Sequence, residues 1–337
     1  MTKHSPTLNE VATAAGVSLM TASRAINNRS GVSGKTREHV LSIAAGLGYV
    51  ANRAAQKLSG GRSYVIGVIA ADLGNPFISA VVTGAGQAAW DAGYETLVYS
   101  QLAQEKRPSV NVMPWLRQIA DGVIAVLPLE YGYLEELASI HIPVITIDHR
   151  GKHSHFPSIA SDSYEGACMA VRHLAELGHR RIAHLTGDER LASAIDRHRG
   201  YVDTRSQLGL ERDDALIVAG DFTQKRGFDA TCALLALDRP PTAIFAGNDL
   251  SAIGAIGAIR EAGLRVPEDI SVVGFDDIPA AAQIYPPLTT IRQPMHQMGR
   301  SAVNTLLAQI AGIAPASPQV WLPNELIVRA TTAAPHA

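Results

Sequence analysis

Carboxylate and amide side chains follow three apolar runs of the sequence that are typical of buried strands. They are Asp148, Asn248, Asp249, Asp276 and Asp277. Because ligands of open α/β sheets bind beyond the carboxyl ends of the strands, these side chains are expected to border one cleft. Their oxygens suit paired hydrogen bonds with vicinal hydroxyl groups, which indicates binding of a polyhydroxylated small molecule. Two of the acids have a structural alternative: Asp249 is better placed to cap Leu250–Ala262, and Asp277 could cap the turn at Ile278-Pro279.

A second group of side chains, near the amino terminus, suits contact with nucleic acid. Arg24 can donate two hydrogen bonds to guanine O6 and N7. Leu19 and Met20 are apolar, so they can contact thymine methyl groups but cannot donate or accept strongly. The polar residues around them are expected to bind phosphates, although helix caps and solvated helix faces use the same residue types. These polar residues are Thr21, Ser23, Asn27, Ser33 and Thr36.

Three short helices are predicted to carry these side chains: Thr7–Ala15, Ser18–Asn27 and Ser33–Leu47. Thr7 and Glu10 have the capping-box spacing, which lets each satisfy a free backbone donor at the helix start. Gly16 stands where a tight turn needs a positive φ. The second helix would direct Ala22 and Ile26 inward and its other side chains outward. A helix presented in this way beyond a glycine turn is typical of the helix-turn-helix that docks in the DNA major groove.

Charge is divided unevenly along the 337 residues. Residues 1–62 contain eight Lys or Arg against two acids, the remaining residues contain 21 against 29, and the net charge of the chain is −2. A basic segment joined to an acidic body is typical of a nucleic-acid-binding protein. Together with the helix-turn-helix pattern, this asymmetry favours such a protein over the alternative, a small helical domain with a solvated basic face.

Composition and cysteine usage narrow the class of protein. A hydrophobic content of 47% is enough to bury large cores in two or three units. Two widely separated cysteines, Cys168 and Cys232, indicate reduced thiols and no disulfide framework. The amino terminus lacks the apolar segment of a signal peptide, and no uninterrupted apolar run reaches the roughly 18 residues of a membrane span. We therefore expect a cytoplasmic protein without a membrane partner.

Beyond a break at Ser59–Ser63, apolar runs alternate with longer amphipathic segments. The strand candidates are Tyr64–Ala70, Thr96–Tyr99, Gly122–Leu127, Val144–Ile147, Arg181–Leu185, Leu216–Ala219, Thr242–Ala246 and Ile270–Phe275. Short apolar strands separated by helices indicate parallel sheets covered on both faces. The arrangement occurs twice, over approximately residues 63–160 and 161–290, which predicts two doubly wound lobes.

Many short motifs resemble the lactose/galactose-repressor (LacI/GalR) family, and they occur in the order of that family. They include Val17-Ser18, Thr21-Ala22-Ser23-Arg24, Leu47-Gly48-Tyr49, Asn75-Pro76-Phe77, Gly247-Asn248-Asp249, Ser271–Asp277 and Pro287–Ile291. The resemblance implies an all-α helix-turn-helix head and an α/β, periplasmic-binding-protein-like body with two doubly wound parallel-sheet lobes. It also implies a homodimeric transcription regulator, usually a repressor, that binds a palindromic operator in double-stranded DNA under the control of a small-molecule effector. Leu19 and Met20 stand where the family selects operator sequence, and they are less polar than in many members.

The resemblance also divides the chain. It implies a head at residues 1–50 and a hinge helix with its linker at 51–62. The first effector lobe would combine 63–160 with 292–321, and the second would combine 161–291 with 322–337. In the hinge, Leu58 matches the leucine that enters the minor groove and kinks operator DNA, and Arg53 and Lys57 would meet phosphates. A plain linker with an exposed leucine is the alternative.

Further effector contacts are implied by matching positions. Arg197 matches the ligand-binding arginine of the family, Phe222 stands where relatives place an aromatic ring that packs on a sugar face, and Phe77, Ser193 and Gln293 are additional candidates. The full set is Phe77, Asp148, Ser193, Arg197, Phe222, Asn248, Asp276 and Gln293. An arginine, two carboxylates and an aromatic ring favour a monosaccharide, a short oligosaccharide or a sugar acid. A purine-responsive regulator of the same family and a sugar-binding transport protein are the alternatives.

Enzyme and metal chemistry are weakly indicated. Gly84–Ala89 satisfies the dinucleotide pattern G-x-G-x-x-A but lies inside a predicted helix rather than at a strand end, so close helix–sheet packing is the better explanation. His149, His153 and His155 beside Asp148 could hold zinc, yet their segment is polar and typical of a solvated loop. No cofactor, metal or catalytic residue is therefore predicted.

Two apolar helical segments are candidates for the dimer face. These are Phe77–Ala92 and Met298–Ile310, with core packing as the alternative. No heptad repeat follows Arg329, so a coiled-coil tetramer is not expected.

Overall fold

The computed structural model describes residues 6–27, 29–49, 62–100, 113–127, 137–139, 141–149 and 156–336. The chain forms two compact units, Met1–Tyr64 and Val65–Ala337. We refer to them as the head and the body. Within the described ranges, no helix has the length and apolar character needed to cross a membrane.

The described residues of the head form three helices, each of which begins at a side-chain cap. They are α1 (Leu8–Ala14), α2 (Leu19–Ile26) and α3 (Gly34–Leu47). The capping box predicted at α1 is confirmed: the backbone N of Thr7 lies 2.6 Å from Oε2 of Glu10, and the Thr7 hydroxyl accepts from the Glu10 backbone N at 3.3 Å. Ser18 and Ser33 cap α2 and α3 in the same way. Gly16 has the predicted positive φ, +66°.

The inward face of α2 contains both predicted residues and one more. Ala22 and Ala25 are buried, and Ile26 is partly buried and packs against the same core. Residues three apart lie on the same face of a helix, so Ala22 and Ala25 together form the contact with α1 and α3. The small alanines allow a close approach, and the head core is completed by Val11, Ala12, Ala15, Val40 and Ala44.

Two six-stranded sheets organise the body, and we call each sheet with its helices a lobe. The first sheet has the order β11-β5-β4-β3-β1-β2 and all its strand pairs are parallel. Its strands are β1 (Val65–Ala70), β2 (Glu95–Ser100), β3 (Gly122–Val126), β4 (Val144–Ile147), β5 (Ser158–Ser161) and β11 (Gln319–Leu322). The described helices of this lobe include α4 (Pro76–Asp91), α5 (Met113–Ile119) and α11 (Met295–Ile310).

The second sheet has the order β12-β10-β9-β8-β6-β7, and only its β10–β12 pair is antiparallel among the described strands. Its strands are β6 (Ile182–Leu185), β7 (Ile217–Val218), β8 (Ala243–Ala246), β9 (Ser271–Asp276), β10 (Thr289–Arg292) and β12 (Glu325–Ile327). The helices of this lobe are α6 (Ser163–Glu176), α7 (Ala192–Gln207), α8 (Gln224–Leu235), α9 (Asp249–Glu261) and α10 (Pro279–Gln283). The predicted fold class, a helical head with two doubly wound parallel lobes, is confirmed.

The chain passes between the lobes after β5, after β10 and between β11 and β12. Hydrogen bonds tie two of these crossings together. The backbone N of Asp162 donates to the Leu322 carbonyl at 3.0 Å, and the Asn324 side chain donates to the Asp162 carbonyl at 2.8 Å. The strands beside the crossings, β5, β10, β11 and β12, are absent from the predicted strands because they are only three or four residues long and each contains a polar residue.

Helices α4 and α11 cross at a pair of glycines. A Cβ on Gly84 would lie 2.2 Å from the His296 carbonyl oxygen, and one on Gly299 would lie 2.1 Å from the Val81 carbonyl oxygen. The close packing predicted at Gly84 is therefore against a helix, and the predicted helix–sheet contact is wrong. The apolar faces of both helices form the core of the first lobe. For these two helical segments the sequence predicts a dimer face with core packing as the alternative, and these apolar side chains follow that alternative.

Candidate functional site

A cleft lies between the carboxyl ends of the two sheets. All eight predicted effector-binding residues line it, together with Asn75, Leu127 and Leu191, which the sequence reasoning did not include. Parallel strands aim their carboxyl ends at one edge of a sheet, so residues distant in sequence meet there. The binding role of these residues remains a prediction.

The first lobe supplies Asn75, Phe77, Leu127 and Asp148. Asp148 directly follows β4 and has a φ of +55°, and Leu127 follows β3 with a φ of +50°. Asn75 caps α4, where its Oδ1 accepts from the backbone N of Phe77 at 2.9 Å. An Asn before a Pro at the first helical position is a recognisable cap signal. That signal could have located Asn75 at this edge of the sheet from the sequence.

Arg197 is the central cation of the cleft and is only 4% exposed. Its Nη1 donates to the Gly247 carbonyl at 2.6 Å and lies 3.8 Å from Oδ1 of Asp276. Its guanidinium carbon is 3.7 Å from the centre of the Phe275 ring and 5.4 Å from that of Phe222, within cation–π range. Burial lowers the pKa of Arg197, and the surrounding carboxylates, Asp276 first among them, oppose that shift.

Asp276 is the buried acid opposite Arg197. Burial raises the pKa of Asp276 to about 6, while the charge of Arg197 and a hydrogen bond from Gln293 act in the opposite direction. That hydrogen bond joins Nε2 of Gln293 to Oδ1 of Asp276 at 2.6 Å. Asp276 therefore has two fixed partners on the protein side of the cleft.

Asn248 anchors the aromatic wall of the cleft. It caps α9 by accepting from the backbone N of Ser251 at 2.9 Å, and its Nδ2 donates to the Phe222 carbonyl at 3.0 Å. Phe222 has a φ of +67°, and its ring packs so closely on Gly187 that a Cβ there would lie 1.9 Å from the ring. Asn248 thus holds the backbone of Phe222 as well as lining the cleft.

Asp249 and Asp277 have structural partners instead of cleft positions. The cap predicted from Asp249 is wrong, because Asn248 fills that position. Asp249 is fully buried and accepts from the Ile278 backbone N at 2.8 Å and from the Thr290 hydroxyl at 2.5 Å. Burial raises the pKa of Asp249 well above its usual value.

Asp277 joins the end of β9 to two arginines. Its carboxylate accepts from Nε of Arg292 at 2.7 Å and from Nη2 of Arg329 at 2.6 Å. These partners come from β10 and from the chain after β12, so the contact closes the edge of the second sheet. The sequence predicts Asp277 either at the cleft or as a cap of the following turn. The observed contacts with the two arginines fit neither prediction.

No metal-ligating cluster occurs among the residues that the structure describes. His153 and His155 of the predicted histidine cluster lie outside those residues. His149 is described, and burial lowers its pKa although Asp148 acts in the opposite direction.

The predicted base-contacting residues lie on the outer face of α2. Leu19 and Met20 are 51% and 63% exposed, and Arg24 is also exposed. The polar candidates have hydrogen-bond partners within the head. The Thr21 hydroxyl is 2.9 Å from that of the cap residue Ser18, the Ser33 and Thr36 hydroxyls are 2.8 Å apart, and Asn27 donates to Ser23 at 3.3 Å. Arg53, Lys57 and Leu58 of the predicted hinge lie outside the described residues.

Arg37 of α3 bonds to the backbone at and just beyond the end of α2. Its Nη1 donates to the Ala25 carbonyl at 3.2 Å, and its Nη2 donates to the Arg29 carbonyl at 2.8 Å. These bonds satisfy carbonyls at the end of α2 and fix α2 on α3. Arg37 therefore contributes to the orientation of the exposed face.

Comparison with known proteins gives matches over nearly the whole chain. Residues 7–52 match bacterial regulatory proteins of the lacI family, and residues 171–332 match the periplasmic binding protein-like domain. The transcriptional regulator DegA of Bacillus subtilis is 34% identical over 331 residues, which cover 97% of this chain and 98% of DegA.

Two solved structures are also similar. The lac repressor dimer bound to operator and the anti-inducer ONPF has a TM-score of 0.85 and 34% identity, and the match covers 98% of this chain and 100% of that one. The transcriptional regulator CelR in complex with cellobiose has a TM-score of 0.72 and 31% identity, with 97% and 99% covered.

Proposed function

Because the chain belongs to the lacI family of bacterial regulatory proteins, we propose that it is a repressor that binds a palindromic operator as a homodimer and responds to a sugar or sugar acid in the cleft. At the coarser level it is a DNA-binding transcriptional regulator, as its relatives are. The proposal adds the direction of regulation, the form of the operator, and the site and class of the effector.

The outer face of α2 supports operator binding. Leu19, Met20 and Arg24 are exposed together on a helix that follows a glycine turn, so two apolar side chains and a cation are available to a partner surface. Thymine methyl groups and guanine edges in the major groove offer that surface. The similar lac repressor structure contains a dimer on its operator.

The observation that carries the effector proposal is the buried Arg197–Asp276 pair at a cleft that Asp148 and Phe222 also line. Charged groups are costly to bury unless they are paired or serve a ligand. The arginine donates hydrogen bonds and the carboxylates accept them, and a sugar hydroxyl can do both. The Phe222 ring can pack on the C–H face of a sugar. The similar CelR structure contains cellobiose.

Calorimetry with the purified chain tests the effector class. The panel contains ribose, galactose, cellobiose and glucuronate, with adenine and guanine as purine representatives. We expect a sugar or sugar acid to bind and to change the affinity for an operator obtained by in vitro selection. Binding of a purine with silence from every sugar and sugar acid would reject the proposed class.

A further inference from the structure

A chain of three buried side chains connects the two lobes beside the cleft. Ser161 is 2% exposed, Gln293 is 4% exposed and Asp276 is 5% exposed. The Ser161 hydroxyl donates to Oε1 of Gln293, and Nε2 of Gln293 donates to Oδ1 of Asp276 at 2.6 Å. The polar groups of the Gln293 side chain are thus both engaged by the protein.

Two of these three residues, Ser161 and Gln293, stand at the crossings between the lobes. Ser161 is the last residue of β5, and the next residue, Asp162, is bonded to the crossing between β11 and β12. Gln293 follows β10 directly, at the crossing into α11. The side chain of Gln293 therefore ties one crossing to another and ties both to an acid that lines the cleft.

The amide of Gln293 has one favourable orientation while Asp276 is ionised. Turning the amide would place its oxygen against the Asp276 carboxylate and leave a buried acceptor without a donor, which is costly. The backbone N of Gln293 also donates to the Asp276 carbonyl at 3.2 Å, so the two residues are held at two points. A displacement of Asp276 must then displace Gln293, and through it Ser161.

We infer that Ser161 and Gln293 are positioning residues that couple occupancy of the cleft to the relative arrangement of the lobes, and that Gln293 is not itself an effector contact. This inference rests on the proposed function, because the effector is taken to act on Asp276. It replaces the predicted role of Gln293 as a binding residue with a role in transmission. Gln293 is linked to the first lobe through a single hydroxyl, that of Ser161. Removal of this hydroxyl therefore tests the coupling separately from effector binding.

Substitution of Ser161 tests the coupling without removing any group that lines the cleft. Ser161→Ala deletes the bond to Gln293 and leaves the bond between Gln293 and Asp276 intact. The matched control is Ser158→Ala, in the same strand, where the hydroxyl is buried but has no hydrogen-bond partner. Both variants are made in the full chain.

The first readout compares binding with response. The probes are ribose, galactose and cellobiose, measured by calorimetry, and the response is the ratio of operator affinities with and without the bound sugar. For Ser161→Ala we expect a sugar affinity within about threefold of the parent and a response about tenfold smaller, inside the usual range of coupling factors. Ser158→Ala should match the parent in both. A full response in Ser161→Ala would overturn the inference.

The second readout needs no effector. Spin labels on the native exposed Cys232 of α8 and on Gln118→Cys of α5 report the distance between the lobes, in samples diluted with unlabelled chains. Ser161→Ala should broaden or shift this distance, whereas Ser158→Ala should leave it unchanged. An unaltered distance in Ser161→Ala would overturn the coupling role. If none of the three sugars binds but the spin-label distance changes in Ser161→Ala, the result would count against the effector class alone.

A double-substitution cycle separates coupling from general destabilisation. If the signal passes from Gln293 to Ser161, then Gln293→Ala and the double variant should show equal loss of response, because the second change removes nothing further. Additive losses would show that the two residues act independently and would contradict the inference.

Discussion

The guanidinium carbon of Arg197 lies 3.7 Å from the centre of the buried Phe275 ring, so the core of the second lobe holds the cation of the cleft in place. Phe275 stands one residue before Asp276 in β9. The same strand therefore provides both the surface on which Arg197 packs and the acid with which it pairs. Arg197 is oriented before any ligand arrives, which reduces the entropy lost on binding.

Arg197→Ala should abolish the effector response while leaving operator affinity unchanged. The variant removes the donors of the cleft and leaves Asp276 buried without its cation, which costs about 3–5 kcal/mol of stability. Operator titration with and without the bound sugar measures the response. Arg199→Ala is the control, because Arg199 lies on the same helix but has a side chain that is 56% exposed. A normal response in Arg197→Ala would remove Arg197 from the site.

The raised pKa of Asp276 predicts that stability falls as pH rises. The pKa is about 6 in the folded chain against 3.8 for the unperturbed group, so between about pH 4 and pH 6 the folded state binds more protons than the unfolded state. The free energy of unfolding then decreases with rising pH across this window. Asp249, whose pKa burial also raises, contributes a slope of the same sign.

Asp276→Asn should remove the part of this slope that belongs to Asp276. Between pH 4 and pH 7 the free energy of unfolding of the parent should fall by about 1–3 kcal/mol more than that of the variant, because the size of the pKa shift of Asp276 sets the size of this change. Urea unfolding at several pH values gives the comparison. Asp188→Asn is the control, because a hydrogen bond from Arg190 lowers the pKa of Asp188 and its slope has the opposite sign. Identical slopes in parent and Asp276→Asn would contradict the assignment.

Local signals made much of the fold predictable. The capping box of Thr7 and Glu10 and the positive φ of Gly16 depend on residues within a few positions of each other, and both are found. The apolar strands were also visible, because strands buried on both faces are continuous apolar runs. Position at strand ends gave Asp148, Asn248 and Asp276, and the family resemblance gave the other five of the eight predicted residues that line one cleft.

Contacts between distant segments were not predictable from local pattern. Asp249 was expected to cap the helix that it begins, but its partners, Ile278 and Thr290, come from other elements of the second lobe. The polar strands β5 and β10 are defined by neighbours in the sheet and lack the apolar signature. The bond between Ser161 and Gln293 belongs to the same class, because nothing near either residue in the sequence indicates it.

Gly84→Ala should destabilise the first lobe strongly. The added Cβ would lie 2.2 Å from the His296 carbonyl oxygen, so α4 and α11 must separate, and we expect a loss of about 3 kcal/mol. Gly86→Ala is the matched control in the same helix, where a Cβ meets nothing within 4 Å. That change should raise the free energy of unfolding by about 0.5–1 kcal/mol through helix propensity. Denaturant unfolding measures the free energy of unfolding of Gly84→Ala and Gly86→Ala. Equal changes in the two variants would contradict the close helix crossing at Gly84.

Arg24→Ala should relax base discrimination at one position in each half of the operator. Loss of a bidentate contact to guanine is worth about 1–3 kcal/mol of discrimination, and affinity for the remaining sequence should change much less. Arg29→Ala is the comparison, since Arg29 is exposed just beyond α2 and would act through phosphates, weakening all sequences alike. In vitro selection with both variants, followed by titration at fixed salt, resolves the two patterns. A uniform loss of affinity in Arg24→Ala, with an unchanged selected sequence, would assign Arg24 to the phosphate backbone instead of the base edges.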